Sequence, residues 1–148
     1  ESVIPAGLGC RDTLRMEMKY VLYGNDISEK TNPIEAGLGW ITKTNKTSFV
    51  GKEKLLDLQL THSRKLICFV MIDRGIPRPG YKVLSESGVI GSVTSGTQSP
   101  SLKKGIGLAY VKKEFSKAGT SLLIDVRGRQ LKCEVVKPPF YKNGSVFS

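Results

Sequence analysis

Arg11 is the residue whose surroundings most clearly suggest chemistry. It lies in the stretch CRDTLRMEMKYVLYGND, residues 10–26, whose middle has the spacing of an amphipathic helix: Leu14, Met18 and Val21 fall at i, i+4 and i+7. The predicted helix would begin near Arg11, where the positive end of the helix dipole disfavours a cation by roughly 0.3–1 kcal/mol. An arginine at this position therefore needs a partner that offsets the dipole.

The partner of Arg11 could be a ligand or a carboxylate of the chain itself. The salt-bridge alternatives are Asp12, Glu17 and Glu35. A second acidic group follows the turn at Gly24 and consists of Asp26, Glu29 and Glu35. This group could hold a cation or accept hydrogen bonds from a ligand, although a solvated loop is the simpler interpretation.

Two basic loops are further candidates for anion binding. In DRGIPRPGY, two prolines fix the backbone around Arg74 and Arg78, so the loop is either a rigid connection or a platform that presents two cations. In TSGTQSPSLKKGIG, hydroxyl groups and glycines precede Lys103 and Lys104. The second stretch could form a backbone nest for an anion or a hydroxyl-capped turn.

Several kinds of chemistry have little support. The single histidine, His62, leaves almost no basis for a Ser-His-Asp or Cys-His mechanism. Cys10, Cys68 and Cys133 are odd in number and widely spaced, which favours buried free thiols over disulfides or a metal site. GLGC and GLGW lack the spacing of a dinucleotide loop. No apolar run approaches the ~20 residues that span a bilayer.

Charge and strand patterns divide the chain into two parts. Residues 1–60 carry eight Lys/Arg and eight Asp/Glu, whereas residues 61–148 carry fifteen and five, so the second part holds the whole net charge of +10. KLICFVMID, YKVLS, VIGSVTS, IGLAYV and SLLIDVRGRQLKCEVV predict five to seven short strands, the last stretch folding back at RGR. We therefore expect a mainly β chain: an incomplete helical part, then a small closed barrel or sandwich.

Five stretches taken together resemble, in the same order, the C-terminal half of the glycine cleavage system T proteins. They are GLGCRDTLRMEMKYVLYGND, TNPIEAGLGW, DRGIPRPGY, GSVTSGTQSPSLKKGIGLAYV and VVKPPFYKNG. The resemblance as a whole covers essentially the whole chain. This resemblance implies a fold with a folate-binding body and a C-terminal antiparallel β-barrel. Residues 1–60 then correspond to the tail of the folate-binding domain and residues 61–148 to the barrel.

The resemblance also implies an activity. In this family an acidic H protein presents an aminomethyl group on its lipoyl arm. The T protein transfers the one-carbon unit to tetrahydrofolate and releases ammonia. Tetrahydrofolate is thus the expected co-substrate and the lipoylated H protein the expected partner, with no metal, nucleic acid or membrane. The expected compartment is the bacterial cytoplasm or the mitochondrial matrix.

Residue roles follow from the same resemblance. Arg11 maps onto the first arginine of the family's ARD motif, which contacts folate, and Tyr23 and Trp40 are placed to stack on or bond to the ligand. The family's catalytic Asp lies upstream of the matched region, so we expect no catalytic residue in this chain, which would be part of a longer enzyme and inactive alone. The candidates for docking the H protein are Arg74, Arg78, Lys103 and Lys104.

Two other functions remain open from the sequence. One is the folate-binding end of a demethylating oxidase of the dimethylglycine or sarcosine type. The other is a basic β-barrel that binds nucleic acid, for which aromatic side chains would have to line a basic groove. The aromatic residues of the basic part are Phe69, Tyr81, Tyr110, Phe115, Phe140, Tyr141 and Phe147.

Overall fold

Six antiparallel strands close into a barrel. A computed structural model describes residues 2–143. Its strands are β1 (Arg64–Met71), β2 (Lys82–Ser85), β3 (Gly88–Ser99), β4 (Lys104–Lys112), β5 (Ser121–Val126) and β6 (Arg129–Val136). They are hydrogen-bonded in the order β1-β4-β3-β2-β5-β6, with β6 pairing back onto β1. The prediction of a mainly β chain with a small antiparallel barrel is confirmed.

Strand β1 is apolar from Leu66 to Met71 because both of its faces are covered there. Phe69 and Met71 point into the barrel interior, whereas Leu66 and Cys68 belong to a second buried cluster on the outside. The same alternation holds along β4, which explains why both strands are nearly continuous apolar runs in the sequence. A β-carbon at Gly107 of β4 would collide with the ring of Phe69, so the barrel interior requires glycine there.

Tight turns connect the hairpins at the predicted places. Glu86 and Ser87 join β2 to β3, and Arg127 and Gly128 join β5 to β6. Arg127 and Gly128 have φ values of 54° and 83°, as in the type I′ turns that match the twist of paired strands. The predicted fold-back at RGR is therefore confirmed.

The part that precedes the barrel contains two short helices joined by turns. These are α1 (Leu8–Glu17) and α2 (Lys52–Thr61). Helix α1 begins three residues before Arg11, so the dipole conflict predicted for that residue is absent. The predicted apolar face is also wrong: the Leu14 side chain is 58% exposed and Val21 lies beyond the helix.

The buried face of α1 is polar, with one exception. Arg15 and Glu17 flank Met16, which is fully buried in the outer cluster together with Cys68 and Phe140. Phe140 thus packs back onto the body, as expected for an aromatic residue near the end of a chain. No helix within residues 2–143 is long and apolar enough to cross a membrane.

Candidate functional site

Arg15 forms a buried ion pair and also bonds α1 to the barrel through Ser95. Its guanidinium donates to Asp26 at 2.7 Å, to the hydroxyl of Ser95 in β3 at 2.9 Å and to Asp12 at 2.8 Å. Arg15 is 9% exposed and Asp26 is not exposed at all. Removing one member of such a buried pair leaves an uncompensated charge, which is strongly destabilising.

Asp26 collects hydrogen bonds from three further groups. Its carboxylate accepts from the hydroxyl of Thr94 and from the backbone N–H of Leu22, and its backbone carbonyl accepts from the hydroxyl of Tyr110 at 2.9 Å. Burial raises the pKa of Tyr110 to about 12, so this phenol stays protonated and keeps donating. The turn after Tyr23 is therefore held in a fixed position on the barrel.

Two more carboxylates tie the same part of the chain to the strands. Glu17 accepts from the hydroxyls of Ser99 and Ser101. Glu35 forms a two-point ion pair with Arg64, at 2.8 and 3.0 Å, and the guanidinium of Arg64 lies 4.8 Å from the ring centroid of Tyr110. Every buried side-chain N or O in the described residues has a hydrogen-bond partner.

Glu35 remains ionised in this setting. Burial alone would raise the pKa of its carboxyl. The hydrogen bonds from Arg64 and from the N–H of Asn32, together with the charge of Arg64, outweigh burial and hold the pKa below its ordinary value. The expectation that Asp26 and Glu35 form a solvated or cation-holding loop is wrong, because both are buried against arginines; Glu29 is exposed.

Arg11 is exposed and forms no ion pair within residues 2–143. The three carboxylates offered as its partners are engaged elsewhere: Asp12 with Arg15, Glu17 with two serines and Glu35 with Arg64. The salt-bridge explanation for Arg11 is therefore not realised. Its guanidinium is available at the surface.

The three candidate folate contacts do not line one pocket. Arg11 borders a shallow apolar concavity of about 430 Å³ that also includes Leu14 and Tyr20. Tyr23 and Trp40 lie outside this concavity, with side chains 67% and 73% exposed. What they share with Arg11 is a position on the part of the chain that the buried carboxylates attach to the barrel.

The loop that carries Arg74 and Arg78 crosses the ends of β3 and β4. A β-carbon at Gly105 would collide with the carbonyl oxygen of Gly75, and one at Gly96 with that of Pro77. This contact brings the loop close to Lys103, in the turn that connects the two strands, and to Lys104, the first residue of β4. These four cationic residues are exposed; they are Arg74, Arg78, Lys103 and Lys104.

The serine-rich stretch around the β3–β4 turn forms a hydroxyl-capped turn. The hydroxyl of Ser99 accepts the backbone N–H of Leu102 at 3.0 Å and at the same time donates to Glu17. Of the two alternatives that the sequence left open, the structure therefore has the capped turn. Its hydroxyls fix α1 against the barrel.

The cysteines divide into two classes. Cys68 and Cys133 are buried free thiols, as predicted, and burial raises the pKa of each to about 12. Cys10 is exposed, so the prediction is wrong for this residue. Across residues 2–143, no group of three or more His, Cys, Asp or Glu side chains is placed to hold a metal ion.

The described aromatic residues of the barrel part are buried or half-buried. They are Phe69, Tyr81, Tyr110, Phe115, Phe140 and Tyr141. Phe147 lies outside the described residues. Bases stack on exposed aromatic faces, and the described barrel surface does not offer them.

Sequence reasoning missed Arg15 and Arg64, and it missed that Asp26 and Glu35 hold the surface around Arg11 in place. The one local signal was the i, i+3 spacing of Asp12 and Arg15 on a predicted helix. The other partners lie far apart along the chain: Thr94 is 68 residues from Asp26. No short motif marks such pairs.

Comparisons with known families match both parts of the chain. Residues 64–142 match the glycine cleavage T-protein C-terminal barrel domain, and residues 1–46 match the GCVT N-terminal domain. The first match coincides with the six-stranded barrel. The second covers α1, which carries Arg11, and the turns that carry Tyr23 and Trp40.

Individual relatives point to the same family. An aminomethyltransferase of Porphyromonas gingivalis is 58% identical over 146 residues, which are 96% of this chain and 40% of that protein. An aminomethyltransferase of Bacteroides thetaiotaomicron is 57% identical over 141 residues, which are 93% of this chain and 39% of that protein. The crystal structure of the glycine cleavage system aminomethyltransferase T from Bartonella henselae superposes with a TM-score of 0.84 at 34% identity, over 91% of this chain and 39% of that one.

The chain is a six-stranded barrel with a helical part bonded to its outer face, and both parts match the same family. The chain belongs to the glycine cleavage T-protein family. It spans about 40% of the length of the curated relatives named above.

Proposed function

We propose that this chain acts as the C-terminal part of a tetrahydrofolate-dependent aminomethyltransferase. In the proposed reaction, the one-carbon unit passes from the aminomethyl-lipoyl arm of an H protein to tetrahydrofolate, and ammonia is released. The relatives named above are called aminomethyltransferases rather than oxidases, which favours this function over demethylation. The catalytic Asp is expected in the part of the relatives that this chain does not cover.

The observation that supports the proposal most strongly is that Arg11 is exposed and has no ion-pair partner within residues 2–143. Its guanidinium is exposed while Asp12, Glu17 and Glu35 are all engaged by other groups. A planar fork of N–H donors suits a carboxylate or the polar edge of a heteroaromatic ring, and folate has both. Tyr23 and Trp40 would add exposed aromatic surface for the same ligand.

The proposed division of labour follows from the two parts of the chain. Residues 1–60 supply one wall of the folate site as the tail of the folate-binding domain. Residues 61–148 form the barrel that holds this wall in place. Contacts that cross between the two parts support the division: the ion pair of Arg64 with Glu35, and the hydrogen bonds of Arg15 to Ser95 and of Thr94 to Asp26.

The basic barrel would also attract the H protein. Arg74 and Arg78 share one end of the barrel with Lys103 and Lys104, and an acidic partner would be steered toward such a patch. Long-range attraction raises the encounter rate without requiring tight binding, which suits a carrier that must dock and leave repeatedly.

A chimeric enzyme tests the folate contact. In the chimera, this chain replaces the part of the Porphyromonas gingivalis aminomethyltransferase that it matches, and methylenetetrahydrofolate formation is followed with aminomethylated H protein. Hydrogen bonds to a charged group contribute about 1.5–3 kcal/mol, so Arg11→Gln should raise the KM for tetrahydrofolate roughly tenfold to a hundredfold. Arg129→Gln, an exposed charge on the barrel, is the matched control. Equal KM values for the two variants, or a folded but inactive parent chimera, would contradict the proposal.

The same chimera tests docking. The triple variant Arg78→Glu, Lys103→Glu and Lys104→Glu should slow the reaction at limiting H protein at low salt. Its deficit should shrink at 1 M salt, where the screening length falls to about 3 Å. The control triple variant reverses Lys65, Lys112 and Lys117, which are exposed and lie near the other end of the barrel. Equal rates for both triple variants at both salt concentrations would show that the patch has no role in docking.

A further inference from the structure

Five lysines surround one groove on the outside of the barrel. The groove has a volume of about 500 Å³ and lies beside β1, the end of β6 and the link between the 3₁₀ helix (Lys113–Phe115) and β5. The five are Lys19, Lys65, Lys113, Lys117 and Lys137. No carboxylate lines the groove, and none of the five forms an ion pair with another described residue. An unbalanced set of cations around a concavity concentrates positive potential there.

This groove is distinct from the basic patch near Arg74. Lys65 is the second residue of β1, whereas Arg74 follows the other end of that strand. A strand of eight residues spans about 26 Å, so the two cationic regions lie near opposite ends of the barrel. A partner bound at the basic patch would therefore leave the groove open.

Lys19 is placed at the groove by an unusual backbone conformation. It follows α1 with φ of 60°, in a helix-ending motif in which its N–H donates to Met16 and the N–H of Tyr20 donates to Arg15. Glycine is the usual residue at this left-handed position, because it has no β-carbon. The ammonium of Lys19 contacts the carbonyl oxygen of Ala36 at 3.3 Å, which leaves two of its three N–H groups for another acceptor.

The floor of the groove is apolar. Leu66, Cys68, Val135, Val136 and Pro138 contribute to it. Its volume lies within the range of small-molecule sites, ~300–1,000 Å³, and a concave apolar floor with a few charged groups around it is typical of them. An extended protein or nucleic acid partner would favour a flatter surface.

We propose that the lysine groove binds a small organic polyanion, a molecule with an apolar body and at least two carboxylate or phosphate groups. The cationic side chains would pair with the anionic groups, and the apolar floor would take the body. The proposal does not depend on the aminomethyltransferase activity, since neither folate nor H protein is needed for binding.

Titration calorimetry of the 148-residue chain at low salt tests the proposal with matched probes. Benzene-1,3,5-tricarboxylate is compared with citrate, and ATP with inorganic triphosphate, so that each pair differs in the aromatic body. We expect the aromatic member of at least one pair to bind with a dissociation constant below about 1 mM and more tightly than its partner. The pair that binds identifies carboxylate or phosphate as the preferred group.

Charge-neutral variants locate the site. Lys19→Gln, Lys65→Gln and Lys113→Gln together should weaken binding of that probe by roughly tenfold or more, because each lysine offers a charged hydrogen bond. The matched control, with the same change in net charge, is Lys82→Gln, Arg129→Gln and Lys132→Gln, and it should change binding less than about twofold. Ala118→Glu adds a carboxylate to the rim at an exposed turn. This single variant should also abolish binding of the probe. It tests whether the probe binds in the groove if the groove triple variant fails to fold.

Three results would overturn the proposal. The first is that no probe binds below about 1 mM. The second is that the groove and control variants weaken binding equally. This would show that the probe responds to the overall positive charge of the barrel and not to the groove. The third is that deca-glutamate binds while the small probes do not, which would assign the groove to an acidic protein.

Discussion

The barrel and the part that precedes it are stabilised by different contacts. The barrel encloses twelve buried apolar residues, all contributed by its own strands. Residues 2–63 bury only Met16 and Ala36 among their apolar side chains, yet they bury four charged ones, which are Arg15, Glu17, Asp26 and Glu35. The barrel has a core of its own, whereas the preceding part is attached to it by hydrogen bonds and ion pairs.

The two regions also differ in the surface that they expose. Eleven of the fourteen exposed large apolar side chains belong to residues 2–63, including Leu8, Tyr23 and Trp40. Leu14 and Tyr20 of this set border one concavity beside Arg11, and an exposed apolar patch is typical of contacts with a ligand or another protein. The polar contacts of this region therefore serve to position a surface, and they add little to a core.

Asp26→Ala is expected to have the largest effect on the attachment of residues 2–63 to the barrel. The change leaves Arg15 buried without its carboxylate partner and removes the acceptor of Thr94, so the docking of residues 2–63 should weaken by about 3–5 kcal/mol. Urea unfolding followed by hydrogen exchange should place the loss in this part, with β1–β6 still protected. The control Asp57→Ala removes an exposed partner of Lys54, for which a change within about 0.5 kcal/mol is expected. A small effect of Asp26→Ala would mean that the ion pair does not hold the region in place.

The next largest effect is expected from a substitution inside the barrel. Gly107→Ala would drive a β-carbon into the ring of Phe69, which is fully buried, and overpacking of this kind destabilises by about 1–3 kcal/mol. The loss should be seen in the unfolding of the barrel. Gly39→Ala is the control in the preceding part, because a β-carbon there meets no atom within 4 Å. Equal unfolding midpoints for the two variants would show that the barrel interior is not packed as described.

A smaller effect concerns pH. The pKa of Glu35 is lowered in the folded chain, so its ion pair with Arg64 stabilises fully above the ordinary value of 4.5 and is lost as the pH falls below it. We expect the docking of residues 2–63 to weaken as the pH falls below this ordinary value, and Arg64→Met to remove this part of the pH dependence. The effect is the smallest of the three because Arg64 is 45% exposed and its charge is screened. Denaturant unfolding at stepped pH measures it, and an unchanged pH profile in Arg64→Met would contradict it.

The difference between the contacts of the barrel and those of the preceding part explains which features could be predicted from the sequence. Strands β1 and β4 were visible as apolar runs, and the β5–β6 hairpin through its RGR turn, because neighbouring residues determine both signals. The buried face of α1 was mispredicted, since Arg15 and Glu17 are buried by pairing with groups elsewhere.

Single residues of the candidate site could be predicted, but the contacts that position them could not. Arg11, Tyr23 and Trp40 came from the family resemblance, and their roles remain predictions. The groups that position them were not predictable, because the hydroxyl of Ser95 is 80 residues from Arg15 and that of Ser99 is 82 residues from Glu17. Periodicity reports which face of an element is buried, but it does not report which distant polar groups meet.

Two buried thiols report separately on the two regions. Cys68 lies on the outer face of β1 in the cluster that Met16 of α1 completes, whereas Cys133 lies in the barrel interior. Burial raises the pKa of both to about 12, so neither should react with a thiol reagent at pH 8 while its region is closed. In a Cys10→Ser background, labelling at increasing urea can be measured at each site by mass spectrometry.

This labelling tests most directly whether the barrel is stable by itself and the preceding part is docked onto it. We predict that Cys68 becomes reactive at a lower urea concentration than Cys133, because α1 can leave its outer face while the six strands stay closed. Asp26→Ala should move the Cys68 transition to lower urea and leave that of Cys133 in place. Coincident transitions at the two cysteines would contradict the account and show that residues 2–63 and the barrel unfold as one unit.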